Sequence, residues 1–256
     1  MRVVILAGGL GTRLSEETES KPKPMVEIGG HPMLWHITKH YAHHGFKEFM
    51  IALGYKGEII KRFFLDYQSL NGSMTIDLSK GEVARHNSES EGWIVHLIET
   101  GIPTNTGGRV KRLEPWLKDQ TFMLTYGDGL CDIDYHDLLR FHRQHGRLAT
   151  VSAVRPPSRF GGLIFDGNLV KEFVEKPQVG EGWINGGFMV FEPGIFSYLE
   201  GDGSILEIDA LEALARDRQL VAYQHEGFWQ CMDTLRDKRY LEALWREQRA
   251  PWKVWD

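Results

Sequence analysis

The chain predicts an α/β fold, a doubly wound and mostly parallel sheet flanked by helices. Three observations carry the prediction. A short β-branched run, Val3-Val4-Ile5-Leu6, breaks off at Gly8, Gly9 and Gly11; an apolar run bounded by glycines reads as a buried strand entering a turn. Met33 to His44 then places Leu34, Ile37 and Tyr41 at helical spacing and stops at Gly45, which suits a helix C-terminus. A second buried strand, Phe49 to Leu53, closes on Gly54, and Ile59 to Tyr67 returns to helical spacing. Strand, loop, helix, strand and helix in that order build a parallel sheet with helices on its faces.

The turn after the first strand is chemically loaded. Glycines let a ligand's phosphates approach the backbone N–H groups, and Arg13 and Lys23 add fixed positive charge. A Walker-type loop is excluded, because Gly11-Thr12-Arg13 stands where Gly-Lys-Ser/Thr is needed. The dinucleotide fingerprint is opposed by Leu14, which occupies the place of its third glycine. Bare glycines would equally describe an ordinary strand-to-helix turn. Thr12-Arg13-Leu14 and the proline-flanked Lys23 favour a polyphosphate cradle.

Further along, residues 68–91 are polar and aperiodic apart from a strand at Met74 to Leu78, and Trp93 to Glu99 alternates as another strand. Thr100 to Arg109 is a second glycine- and hydroxyl-rich loop, opening a helix from Val110. It suits either the edge of a base or ribose or simple helix capping. Phe122 to Thr125 is a strand running into Tyr126-Gly127-Asp128-Gly129, so Asp128 faces the crevice where open α/β sheets bind ligands. Opposite phosphates, that carboxylate is a natural Mg²⁺ ligand. Asp132 and Asp134 lie beyond the turn and read as caps for a helix from Tyr135 to His145. The helical trio His40, His43 and His44 has a spacing that a metal could use, but its helix is expected to lie on the sheet surface and no acidic partner is evident, which disfavours a metal.

After a strand at Ala149 to Val154 the texture changes to prolines, glycines and short strands until about Ile205. Residues 1–256 are read as one domain, its first part at about 1–150 and its second at about 151–256. Phe160-Gly161-Gly162-Leu163, Val174-Glu175-Lys176-Pro177 and Ile184-Asn185-Gly186-Gly187 each read singly as a turn or hairpin, and together offer contact points for a polar ligand. Glu175 accepts hydrogen bonds from vicinal hydroxyls, Lys176 pairs with a phosphate, and Asn185 both donates and accepts. Ile205 to Arg216 is expected as an amphipathic helix and Leu220 to Tyr223 as a strand. Asp233 follows an apolar run and precedes a helix from Thr234 to Trp245, so it serves either a cation or the helix N-terminus. Trp252 and Trp255 pack back on the body or into a neighbouring subunit.

Composition narrows the function. At 42% hydrophobic and 25% charged residues the chain is an ordinary globular protein, and a net charge of −5 provides no global field for nucleic acid or an anionic membrane. Any anionic ligand must be held by local charges. Cys131 and Cys231 allow at most one disulfide and suggest no disulfide framework, and the opening apolar run is too short for a signal peptide or membrane span. The cytoplasm is the expected compartment, with no nucleic-acid or membrane partner.

Leu6 to Leu14, Lys21 to Met25 and the continuation Val26-Glu27-Ile28-Gly29-Gly30-His31-Pro32-Met33-Leu34 together resemble the signature of the sugar-phosphate nucleotidyltransferases. The likeness covers essentially the whole chain. It implies a Rossmann-like, mixed sheet of the nucleotide-diphospho-sugar transferase type, a nucleoside triphosphate, a sugar 1-phosphate and Mg²⁺. By resemblance the half at about 1–150 binds the nucleotide and the half at about 151–256 the sugar, and the nucleotide falls to Leu6, Ala7, Gly8, Gly9, Leu10, Gly11, Thr12, Arg13, Lys23, Thr104, Thr106, Arg109 and Gly127. The sugar phosphate falls to Gly162, Glu175, Lys176, Asn185 and Gly186, the metal to Asp128 and Asp233, and catalysis to Arg13, Lys23 and Asp128. Leu14-Ser15-Glu16-Glu17-Thr18, Pro157-Ser158-Arg159-Phe160-Gly161, Met232 to Lys238 and Ala250-Pro251-Trp252-Lys253 are similar to the branch using CTP and glucose 1-phosphate. That branch feeds deoxysugar and O-antigen precursor synthesis. A branch using dTTP or UTP is the alternative, and an oligomer of identical chains is expected. A non-catalytic sensor of the same fold would be expected to lose Lys23 or an acid, and all are present. A nicotinamide-dependent oxidoreductase is opposed by Leu14 and by the lack of an acid ending the second strand.

Overall fold

A computed structural model describes residues 1–70, 72–86, 90–156, 162–166, 169–174 and 182–255. In chain order the strands and helices are β1 (Arg2–Leu6), α1 (Ser15–Thr18), β2 (Glu27–Ile28), β3 (His31–Pro32), α2 (Met33–His43), β4 (Glu48–Leu53), α3 (Gly57–Leu70), β5 (Ser73–Asp77), β6 (Glu82–His86) and β7 (Ile94–Glu99). They continue with α4 (Thr106–Arg112), α5 (Glu114–Leu117), β8 (Phe122–Tyr126), β9 (Gly129–Cys131), α6 (Tyr135–His145), β10 (Ala149–Val154), β11 (Gly162–Asp166) and β12 (Leu169–Val174). The last are β13 (Ile184–Phe191), α7 (Glu212–Arg216), β14 (Leu220–His225), β15 (Trp229–Cys231) and α8 (Leu235–Arg246).

The central sheet has seven strands in the order β14-β10-β13-β8-β1-β4-β7. β1 pairs in parallel with β4 and β8, β4 with β7, and β10 with β14. β13 is antiparallel to both neighbours, so the sheet is mixed. Alternate residues of β1 feed separate cores: Val3 and Ile5 pack under α2, α6 and α8, while Val4 and Leu6 pack with Val110, Leu117, Phe196 and Leu214. Burial on both faces is what turns β1 into a continuous apolar run. This is the doubly wound α/β architecture expected from the sequence.

Several local expectations need correction. The helix expected from Val110 begins at Thr106. Gly107 and Gly108, which look like loop residues, sit inside α4, where glycine is needed because a Cβ on either would lie within 3 Å of backbone atoms in the 202–206 segment. The helix expected over Ile205 to Arg216 is a π-helical turn at Leu206–Leu211 followed by the short α7. The lone strand at Met74 to Leu78 is one arm of a β5–β6 hairpin. Asp77 closes that hairpin's turn by accepting from the Ser79 N–H at 2.9 Å. Asp134 caps α6, accepting from the His136 N–H at 2.8 Å, but Asp132 instead pairs with His225 Nε2 at 2.8 Å. Thr234, not Asp233, caps α8, in a reciprocal box with Asp237. Trp252 is fully buried on the body, stacked against Phe228 at 5.5 Å. No helix among the described residues is long and apolar enough to cross a membrane.

Two buried histidines of α2 carry a consequence for pH. His36 donates from Nε2 to the Ile28 carbonyl at 2.8 Å and accepts at Nδ1 from Trp252 Nε1 at 3.3 Å, which is the neutral imidazole pattern. Burial lowers its pKa to about 4. His40 has no partner in the described structure at either ring nitrogen, and burial, aided by neighbouring His44, lowers it to about 3. The unfolded chain takes up these protons near pH 6.5, whereas the folded chain refuses them until far lower. Stability is therefore lost as pH falls from 6.5 toward 3, on the order of 2 kcal/mol per histidine at pH 4.5. Melting temperatures at pH 7 and 4.5 test this, with His40→Leu expected to blunt the acid loss; an unchanged midpoint at pH 4.5 in the parent protein would contradict it.

Candidate active site

β1 ends against the turn of residues 8–14, and Ala7 N–H still bonds the Ala52 carbonyl at 3.0 Å. Gly8 must lack a side chain, because a Cβ there would lie 2.2 Å from the Arg109 guanidinium. Gly11 takes φ +66°, the left-handed region that favours glycine. Leu14 is fully buried and anchors the turn in the core. Thr18 Oγ1 donates to the carbonyls of Gly11 and Leu14, both at 3.0 Å. The loop is thus held from below, and Gly9, Leu10 and Thr12 stay exposed above.

Pro22 and Pro24 flank Lys23 in a one-turn 3₁₀ helix, Lys23–Met25. Its ammonium donates to Asp128 Oδ2 at 2.7 Å and to Asp233 Oδ1 at 2.5 Å. Asp128 stands directly before β9 and Asp233 two residues after β15, and these strands form an antiparallel ladder with Gly129 opposite Cys231. The Met232 N–H bonds the Asp128 carbonyl at 2.8 Å, so the ladder itself sets the two acids side by side. Burial pulls the Lys23 pKa down, but Asp128 and Asp233 outweigh it and hold it above the ordinary lysine value. The charge is therefore locked on.

Two cavities meet at this cluster. The first, about 590 Å³, is lined by Leu6 to Thr12, Lys23, Pro24, Ile102 to Thr106, Arg109, Tyr126, Gly127, Asp128 and Asp233. The second, about 330 Å³, is lined by Thr125, Tyr126, Asp128, Gly129, Asn185 to Gly187, Glu207, Trp229, Cys231 and Asp233. Tyr126, Asp128 and Asp233 belong to both. Such a shared wall can seat two ligands with their reacting ends against the same charges.

The residues selected from sequence are placed as follows. Leu6 to Thr12, Lys23, Thr104, Thr106, Arg109, Gly127 and Asp128 gather on the first cavity, and Asn185 and Gly186 on the second. Thr104 Oγ1 is buried without a hydrogen-bond partner. Thr106 Oγ1 donates to Glu207 Oε2 at 2.7 Å. Arg109 donates to the carbonyls of Leu53, Gly101, Gly8 and Ile102 and to Thr100 Oγ1, at 2.6–3.3 Å. Its guanidinium ties both loops of the first cavity together. Burial lowers its pKa, and nearby Arg112 adds to this. Asn185 Oδ1 accepts from the Gly187 N–H at 2.8 Å. Gly186 has no room for a Cβ against Ser152 and Val154, and its carbonyl accepts from Trp229 Nε1 at 2.7 Å. Gly162 opens β11. The side chain of Arg13, and Glu175 and Lys176 altogether, lie outside the described residues.

Other residues of the site were not singled out from the sequence. Glu207 Oε1 accepts from the Tyr126 hydroxyl at 2.5 Å, and burial, then Glu207, drives the Tyr126 pKa upward. Helical periodicity hid Glu207, because the π turn shifts its register toward the cavity. Cys231 Sγ lies 3.8 Å from Asp233. Burial, then the charges of Asp233 and Asp128, push its thiol up to about 12. Among the described residues no group of three or more His, Cys, Asp or Glu side chains is arranged for a metal, His40, His43 and His44 included.

Comparison with known proteins fits this geometry. The protein-family profile described as nucleotidyl transferase matches residues 2–245. The chain is 48% identical to glucose-1-phosphate cytidylyltransferase of Salmonella typhi over 257 residues, covering 100% of both chains. It is 44% identical to a probable glucose-1-phosphate cytidylyltransferase of Bacillus subtilis (strain 168) over 256 residues, again covering 100% of both. Among solved structures, HddC from Yersinia pseudotuberculosis superposes with a TM-score of 0.68 at 25% identity, over 95% of this chain and 99% of that one.

Proposed function

Because this chain belongs to the nucleotidyl transferase family, we propose that it transfers the cytidylyl group of CTP to α-D-glucose 1-phosphate, giving CDP-glucose and pyrophosphate. One observation carries the reading: Asp128 and Asp233, on the wall common to both cavities, hold between them the ammonium of Lys23, which lines the first. Two polyanions must be brought together, and fixed charges at the junction offset their repulsion. The choice of CTP and glucose 1-phosphate follows the two full-length cytidylyltransferase relatives.

In this reading the triphosphate lies along the turn of residues 8–13 in the first cavity, and the sugar phosphate enters from the second. An oxygen of the sugar phosphate attacks the α-phosphorus, the bond to the β-phosphate oxygen breaks, and its electron pair leaves with pyrophosphate. The nucleophile is already an anion, so no residue need remove a proton from it. Lys23 stabilises charge on the α-phosphate and the incoming phosphate, while Arg13, on the 3₁₀ turn Thr12–Leu14, is assigned the departing pyrophosphate. Arg109 holds the two loops that frame the nucleotide. Asn185, Gly186, Glu175, Lys176 and Gly162 are assigned the sugar phosphate.

Asp128 and Asp233 suit a single Mg²⁺. Mg²⁺ takes one or two carboxylates and completes its shell with water and phosphate oxygens, and the two acids already converge on one cation, the Lys23 ammonium. When bound, Mg²⁺ would neutralise phosphate charge and favour an in-line geometry. An assembly of identical chains is also inferred, supported by exposed Ile76 and Leu78 on and beside β5.

The test is to incubate the protein with glucose 1-phosphate, Mg²⁺ and each nucleoside triphosphate in turn, and to weigh the product. CTP is expected to yield CDP-glucose. Reaction with dTTP or UTP but not CTP would overturn the branch and leave the class standing; no reaction with any nucleotide would overturn the class.

A further inference from the structure

Two stretches marked out in the sequence, Leu14 to Thr18 and Met232 to Lys238, have so far a role toward the ligands only at Asp233. In the fold they meet. Glu17, on α1 directly after the phosphate turn, pairs with Lys238 on the first turn of α8, and the two are separated by 221 positions in the chain. Their side chains are 23% and 26% exposed, so solvent screens the pair less than an ordinary surface ion pair.

Each end is rigidly built. On one side, Thr18 ties α1 back to the carbonyls of Gly11 and Leu14, and the Tyr55 hydroxyl holds the Thr18 carbonyl at 3.2 Å. Movement of Glu17 therefore carries the phosphate turn with it. On the other side, Asp237 Oδ2 accepts from the N–H groups of Asp233 and Thr234, at 3.1 and 2.9 Å. Lys238 follows Asp237 directly, and its N–H bonds the Thr234 carbonyl at 3.0 Å. The pair thus joins the turn that cradles phosphates to the segment that presents Asp233.

We propose that Glu17 and Lys238 form a positioning latch, holding the phosphate turn at a set distance from Asp233 and thereby setting affinity for the triphosphate and for pyrophosphate. The proposal rests on the reading of residues 8–13 as the donor's phosphate site. Neither residue lines either cavity, so the effect acts through placement. An ion pair that merely stabilises the fold would change both substrates' constants together, whereas a latch on the donor side separates them.

Lys238→Met and Glu17→Gln are each expected to raise the KM for CTP about tenfold and to leave the KM for glucose 1-phosphate within about twofold, with the melting temperature within a few degrees. The reversed pair, Glu17→Lys with Lys238→Glu, is expected to recover the CTP constant to within about threefold, because attraction is restored with the charges exchanged. Calorimetric binding of inorganic pyrophosphate reads the same latch without turnover, and its Kd is expected to rise about tenfold in the single variants. An unchanged pyrophosphate Kd in both single variants overturns the latch. So does a reversed pair no better than the singles, or a parallel rise of both KM values with a fallen melting temperature. Failure of the underlying function appears separately, as absence of CDP-glucose from the parent protein.

Discussion

Lys23→Ala is expected to lower turnover by roughly 10²–10³-fold, the usual loss when one preorganised charge-stabilising group is removed from a reacting centre. The side chain is 89% shielded from solvent. Its removal does two things at once. It deletes the cation assigned to the reacting phosphates, and it leaves two carboxylates facing incoming phosphates without the ammonium between them. Lys23→Arg is expected to rescue poorly, because a planar guanidinium cannot present three donors from one point to two carboxylates and a phosphate. A continuous pyrophosphate-release assay checks this; rates near those of the parent protein would remove Lys23 from the mechanism.

Asp128→Asn is expected to cost a similar 10²–10³-fold while preserving the shape of the turn. The β9–β15 ladder and the Met232 N–H hold the backbone there, not the carboxylate. Halving the acid charge at the junction is also expected to raise the Mg²⁺ concentration needed for half-maximal rate, since one carboxylate then remains to hold the ion. The double variant Lys23→Ala with Asp128→Asn is expected to lose much less than the product of the single losses, because both residues act on one set of phosphates. Fully multiplicative losses would mean that the two side chains act independently.

The acid lability argued for His36 and His40 bears on such measurements. Neither histidine lines the two cavities. A fall of activity below pH 6 in the parent protein is therefore to be compared with its melting temperature at the same pH before it is ascribed to the site.

Much of the architecture was legible in the residues themselves. The strands at β1, β4, β8 and β10 are apolar runs closed by glycine or polar residues, and they form within a residue or so of where pattern places them. Local chemistry dictates these elements: β-branched residues fit a pleated, doubly covered sheet, and glycine or a capping aspartate ends each segment. The candidate charges were also visible, since a glycine turn followed by Arg13 and a proline-flanked Lys23 has few other uses. Where local reading failed, a distant contact had overridden it. Gly107 and Gly108 sit inside α4, where the 202–206 segment leaves no room for a Cβ, and residues 205–211 open into a π turn as Leu206 N–H bonds Thr106 Oγ1 at 3.0 Å.

The sequence alone determined the class of fold, the glycine turn with its two basic neighbours that suggests a phosphate cradle, and which acidic residues are available to oppose it, because short-range patterning and side-chain type suffice for each. Only the tertiary structure decided that Lys23 meets acids 105 and 210 positions away, that Arg109 spends its donors on loop carbonyls, and that Glu17 finds Lys238. The reason is physical. Strand order and the β9–β15 ladder bring these groups together through contacts among residues far apart in the chain, and no local pattern records which distant partner a side chain will meet.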